Sequence, residues 1–221
     1  MINFLPRLIS GVLYIVIIFA SIVISMETFI TVFLIFTLIS TYEANSLYQK
    51  IKSKGYNYNH PFIPPLYVSV SMIVLIYIPF SGNDIYNPYL ILFIFILIWI
   101  SDTMSYFFGS LFGKTNLKIE ASPNKTWEGF IGGLFCSVIF SYVSFSFIQE
   151  IFPLWKTILL GFTIPIFGLL GDIFQSQIKR KAGVKDSGTL LAGHGGVLDR
   201  FDSLIFAMPL SYLYIHFLMH I

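Results

Sequence analysis

Residues Ile91–Ile100 read Ile-Leu-Phe-Ile-Phe-Ile-Leu-Ile-Trp-Ile, apolar on every side of any regular structure they could form. A second run, Leu8–Met26, carries no charge, and about 18–20 apolar residues is what a bilayer core demands of a spanning helix. Lipid offers a backbone amide no partner, so a spanning segment must be a helix or a strand of a closed barrel. Barrel strands alternate in polarity and these runs do not. Of the 221 residues 56% are hydrophobic and 11% charged, where a soluble domain has roughly a quarter charged. The expected fold is therefore all-α: a polytopic membrane helical bundle.

Seven spans are expected, within a range of 6–9, at 8–25, 28–48, 66–80, 89–112, 127–149, 154–178 and 201–220. The stretch 8–41 is too long for one straight crossing, about 50 Å at 1.5 Å per residue, so a hairpin is expected near Met26–Glu27. Pro61, Pro64 and Pro65 lead into the third span, Pro88 into the fourth and Pro153 into the sixth. With a cytoplasmic N-terminus, the loops 49–65, 113–126 and 179–200, together with Arg7, hold every lysine and arginine of the 13 except Lys156. That asymmetry is the positive-inside signature. It places the polar loops on the cytoplasmic side and ends the last span outside. Residues 1–221 read as a single integral membrane domain, 1–88 supplying N-terminal spans and 89–221 the catalytic spans and cytoplasmic loops. The first run is too long for a signal-peptide core and is read as a retained span.

Other classes are disfavoured. A net charge of +2 is no footprint of nucleic-acid binding. Cys136 is the single cysteine, placed within an apolar run as a core filler, and no Cys/His cluster suggests zinc. No internal repeat points to an inverted-repeat transporter.

Three polar clusters interrupt this apolar background. In the first, Asp102, Ser105, Tyr106, Gly109 and Gly113 share one helix face. An acid within a span is a functional candidate, although a small-residue stripe also serves helix packing. The second runs Ser122-Pro123-Asn124-Lys125-Thr126-Trp127-Glu128-Gly129. Asn124 could cap the fifth helix, with Glu128 in its first turn. Ser122, Lys125, Thr126 and Glu128 beside a glycine-rich helix start also suit a phosphate. Trp127 reads as an interfacial anchor.

The third cluster is the densest. Asp172, Ser176 and Lys179 form a stripe at the inner end of the sixth span. Arg180, Lys185 and Asp186 follow, then His194-Gly195-Gly196, then Asp199-Arg200-Phe201-Asp202. Carboxylates for a hard divalent cation, cations for phosphates and a glycine turn form the set that phosphoryl-type transfer needs.

The pattern Ser176, Lys179-Arg180, Lys185-Asp186, His194-Gly195-Gly196 and Asp199-Arg200-Phe201-Asp202 closely resembles the phosphatidate cytidylyltransferase (CDP-diacylglycerol synthase) family. Gly171-Asp172, the Ser122–Gly129 run and the Asp102 stripe resemble it too. The resemblance is sharp over about 100–202; before that Arg7 and Glu43 match weakly. Ala192 stands where the family usually has proline, and the chain is shorter than typical members, implying fewer N-terminal spans.

The resemblance implies transfer of the cytidylyl group of CTP to phosphatidic acid, giving CDP-diacylglycerol and pyrophosphate in phospholipid biosynthesis. It implies Mg2+, with room for a second cation, at Asp172 and Asp199. Lys179, Arg180, Lys185 and Arg200 would neutralise phosphates, with Asp172, Asp199, Lys179 and Arg200 as the catalytic set. Asp102, Ser122, Lys125, Thr126, Glu128, Ser176, Arg180, Lys185, Asp186, His194, Gly195, Gly196 and Asp202 would bind substrate. The expected partners are CTP, phosphatidic acid, the lipid bilayer and a second copy in a homodimer, with no nucleic acid. The expected setting is a bacterial cytoplasmic membrane, the active site facing the cytoplasm. The rival readings are a prenol- or dolichol-kinase-like enzyme, a cytidylyltransferase for another lipid phosphate, and an ion-coupled transporter using Asp102 and Asp172.

Overall fold

The computed structural model describes residues 4–55, 63–80, 85–191 and 195–219. Its helices are α1 (Phe4–Ile24), α2 (Met26–Ser53), α3 (Ile63–Tyr77), α4 (Pro88–Phe112), α5 (Trp127–Val143), α6 (Phe145–Ile148), α7 (Leu154–Ala182) and α8 (Asp202–Met219). Among the described residues there is no sheet, only two isolated bridges in loops. The seven expected spans appear as α1–α5, α7 and α8. The fifth span is shorter than the sequence suggested: it stops at Val143, and the four-residue α6 follows after Ser144.

Local chemistry sets the boundaries. The α1–α2 hairpin turns at Ser25, whose backbone is extended (φ −165°, ψ 164°) and whose side chain accepts from the Thr28 amide in a reciprocal capping box. Unpaired helix-start amides make such a cap worth about 1 kcal/mol. Asn87 caps α4 with Pro88 just inside, where a missing N–H costs nothing. For α5 the cap is Thr126, whose hydroxyl accepts from the Gly129 amide at 3.2 Å, rather than Asn124. Glu128 does lie in the first turn, as expected, but it reaches back and accepts from the Thr115 amide at 3.1 Å. The 113–126 loop is thereby pinned to the helix it precedes.

Helices α2, α4 and α7 are long and apolar enough to cross a membrane, and three shorter apolar helices accompany them. Outward-facing Leu38, Val143 and Phe147 are exposed, as a lipid-facing wall requires. The 29 residues of α7 extend roughly 43 Å, beyond the ~30 Å hydrocarbon core. The protein is an integral membrane helical bundle.

Two packing features position the site. Helices α4 and α5 meet through small residues. A Cβ on Gly129 would lie 2.6 Å from the Ser105 carbonyl oxygen, and one on Gly133 would lie 2.6 Å from that of Ser101. Glycine alone allows that approach. Phe201, fully buried, packs against Tyr14, Phe33 and Phe36 with ring centroids 5.5–6.1 Å apart. This anchor fixes the turn that carries Asp199 and Asp202 on either side of it.

Candidate active site

The C-terminal half of α4, the N-terminus of α5, the C-terminal half of α7 and the start of α8 converge on a cavity of about 550 Å³. Its polar lining includes Asp102, Asp172, Asp202, Lys125 and Thr126; Tyr106, Phe130 and Leu169 give it an apolar side. Lys125 forms an ion pair with Asp172, and Ser176 donates to the other Asp172 oxygen at 3.2 Å. Ser203, buried, donates to Asp102 at 3.3 Å. Gly109 and Ser105 pack against α5, while Asp102 opens into the cavity.

Lys179 lies at the edge of this group. Its ammonium donates to Asp199 at 2.8 Å and stands 3.6 Å from Asp202. Asp199 is bracketed further: its second oxygen accepts from the Ser187 amide at 2.7 Å and the Gly196 amide at 2.9 Å. Burial works against its charge, but Lys179 and these amides outweigh it and hold the carboxyl below the ordinary aspartate value. Asp199 therefore acts here as the fixed counter-charge of Lys179, and it is not among the residues lining the cavity.

The remaining expected residues are more dispersed. Ser122 sits in the turn Ile119–Ser122, its amide donating to the Ile119 carbonyl. Arg180 is exposed and donates to the Val184 carbonyl at 3.2 Å, closing the end of α7. Lys185 and Asp186 are exposed. Gly195 adopts φ +84°, a left-handed conformation that glycine accepts without strain. A Cβ there would lie 3.0 Å from that of Asp186. The Arg200 carbonyl accepts from the Tyr14 hydroxyl at 3.3 Å. His194 lies outside the described residues.

Two residues that sequence reasoning left out of the site are part of its framework. Ser203 follows Asp202 directly and its only signal was that adjacency. Ser187 follows Asp186 and bridges Asp199 to Glu43, a buried acid of α2. Glu43, inside the second expected span, showed itself in sequence only as a weak family match.

The carboxylates meet the chemistry of a hard cation, since Asp102, Asp172 and Asp202 offer oxygen donors around one cavity. Among the described residues no three acidic, histidine or cysteine side chains form a ready-made cage. Magnesium is commonly held by one or two carboxylates, with waters and substrate phosphates completing its shell, so this donor set fits it.

The family model described as "Cytidylyltransferase family" matches residues 3–218. The chain is 50% identical over 120 residues to the phosphatidate cytidylyltransferase of Staphylococcus saprophyticus, covering 54% of this chain and 46% of that protein. It is 51% identical over 120 residues to the enzyme of that name from Staphylococcus haemolyticus, with the same coverage. It is 52% identical over 122 residues to that of Staphylococcus aureus, again with 54% of this chain and 46% of the relative covered. The chain spans about half the length of the curated relatives it matches. With the family model running along nearly all of it, this chain belongs to the cytidylyltransferase family.

Proposed function

We propose that this chain transfers the cytidylyl group of CTP to phosphatidic acid, giving CDP-diacylglycerol and pyrophosphate in phospholipid biosynthesis. The observation that carries the reading is Asp172, held by Lys125 and Ser176 in a cavity that Asp102 and Asp202 also line. The names borne by the staphylococcal relatives support the choice of substrates.

An oxygen of the phosphatidic acid phosphate attacks the α-phosphorus of CTP, a new P–O bond forms, and the bond to the β-phosphate breaks with pyrophosphate leaving. The nucleophile is already anionic, so no strong general base is needed. Magnesium, when bound, would offset the charge of the triphosphate and align it. Asp102, Asp172 and Asp202 are the carboxylates facing the cavity, and Asp199 joins them only by giving up contacts it makes now. Lys125 lines the cavity where it can pair with a phosphate oxygen, and Lys179 stands behind it beside Asp199 and Asp202. The apolar side of the cavity, at Tyr106, Phe130 and Leu169, suits a lipid arriving from the bilayer.

The same reading places the chain in the bacterial cytoplasmic membrane with the cavity facing the cytoplasm, where CTP is found, and takes the working form as a homodimer. The basic residues of 49–65, 113–126 and 179–200 support that orientation. Labelled CTP tests the reaction class. Label at the α-phosphate should enter the lipid fraction with phosphatidic acid as acceptor. Entry of γ-label instead would indicate a lipid kinase and overturn the proposal.

A further inference from the structure

Glu43 belongs to α2, far in sequence from the catalytic motifs, yet the residue is only 6% exposed and its carboxylate is bound by Ser187, Val197 and Leu198. One oxygen accepts from the Val197 amide at 3.1 Å. The other accepts from the Leu198 amide at 2.9 Å and the Ser187 hydroxyl at 2.7 Å. These partners lie 144–155 residues away along the chain. Two glycines shape the socket. A Cβ on Gly188 would approach the Glu43 carboxyl carbon to 2.8 Å, and one on Gly196 would collide with its oxygens. The Ser187 hydroxyl also lies 3.0 Å from Asp199. Ser187 thus joins two buried carboxylates, its hydroxyl donating to Glu43 and its amide to Asp199, and the second of them holds Lys179.

We infer that Glu43 is a positioning residue for cytidylyl transfer. It ties Ser187 and the Val197–Leu198 turn to α2 and, through Ser187 and Asp199, sets the Lys179 ammonium beside Asp202. The inference rests on the proposed reaction for its kinetic consequence, but not for the loop-holding role. A carboxylate is required because three donors converge on it and it offers only acceptors. The isosteric Glu43→Gln change turns one acceptor oxygen into an NH2 group that faces N–H or O–H donors.

The test uses the full chain purified in detergent. Trypsin cleavage after the exposed Lys185 is followed by mass spectrometry beside CTP turnover and thermal unfolding. In E43Q, Lys185 should be cut roughly tenfold faster, the effect of losing one charged hydrogen bond that holds a loop shut. The kcat should fall roughly tenfold or more, while the KM for CTP stays within about twofold. Ser187→Ala, which removes only the shared hydroxyl, should move the same two readouts in the same direction, and it carries the test alone if E43Q does not fold. The double variant should be no worse than E43Q, because both changes break one network. Wild-type cleavage and kcat in both single variants, or fully additive losses in the double variant, would overturn the inference. A wild-type chain that transfers no cytidylyl group, while E43Q still frees Lys185, would sink the reaction and keep the loop-holding role.

Discussion

The Nζ of Lys179 lies 2.8 Å from Oδ1 of Asp199, with only 11% and 5% of the two side chains exposed. A pair this deep is costly to break from one side, because the buried survivor keeps its charge with only the longer contact to Asp202, 3.6 Å, to offset it. Asp199→Ala should therefore lower stability by about 3–5 kcal/mol, read as unfolding in detergent, and abolish turnover with it. Wild-type stability in that variant would show that the pair is not formed in the working protein.

Lys125 and Asp172 make a different prediction, because both line the open cavity. Asp172→Asn should remove magnesium-dependent turnover while the purified protein still folds. Lys125→Ala should raise the KM for CTP by roughly tenfold, the loss of one charge-assisted contact to a phosphate. Turnover within twofold of wild type in D172N would remove Asp172 from the site.

Chelation should act in the same place. Excess EDTA should stop turnover, and magnesium should restore it, with the helical content by circular dichroism unchanged throughout. The bundle's core is apolar side chains such as Phe33, Phe95 and Ile94, which owe nothing to a cation. Loss of helix on chelation would contradict that separation of fold from metal.

The α4–α5 seam can be tested without touching the chemistry. Gly133→Ala places a methyl 2.6 Å from the Ser101 carbonyl oxygen, a backbone atom that cannot rotate away. The change should cost about 1–3 kcal/mol, as overpacking does, and a compensating Ser105→Ala should not rescue it. Full rescue would mean that the helices meet less closely than described.

Most of the architecture was legible because its cause is local. The run Ile91–Ile100 had to become helix once lipid was its solvent, and Pro88 and Pro153 stand at the starts of α4 and α7. The third cluster was legible as chemistry because its charges are adjacent in sequence. Other features were not, for definite physical reasons. Asn124 and Thr126 are both competent caps, and only the fold of the loop, with Leu117 donating to the Lys125 carbonyl at 2.9 Å, decides for Thr126. The division between Asp172, facing the cavity, and Asp199, holding Lys179, depends on amides of Ser187 and Gly196 that no spacing rule selects. Glu43 was visible only as a weak match because every partner it has in the 186–200 segment is more than 140 residues distant.

The central claim is the reaction itself, and the most direct measurement is the mass of its product. The purified chain is incubated with CTP, phosphatidic acid and magnesium, and the lipid and aqueous fractions are analysed by mass spectrometry. The account predicts CDP-diacylglycerol, heavier than the phosphatidic acid supplied by one cytidylyl unit, with an equal amount of pyrophosphate. CDP together with a newly phosphorylated lipid alcohol, or unchanged CTP under conditions where the protein is folded, would contradict it.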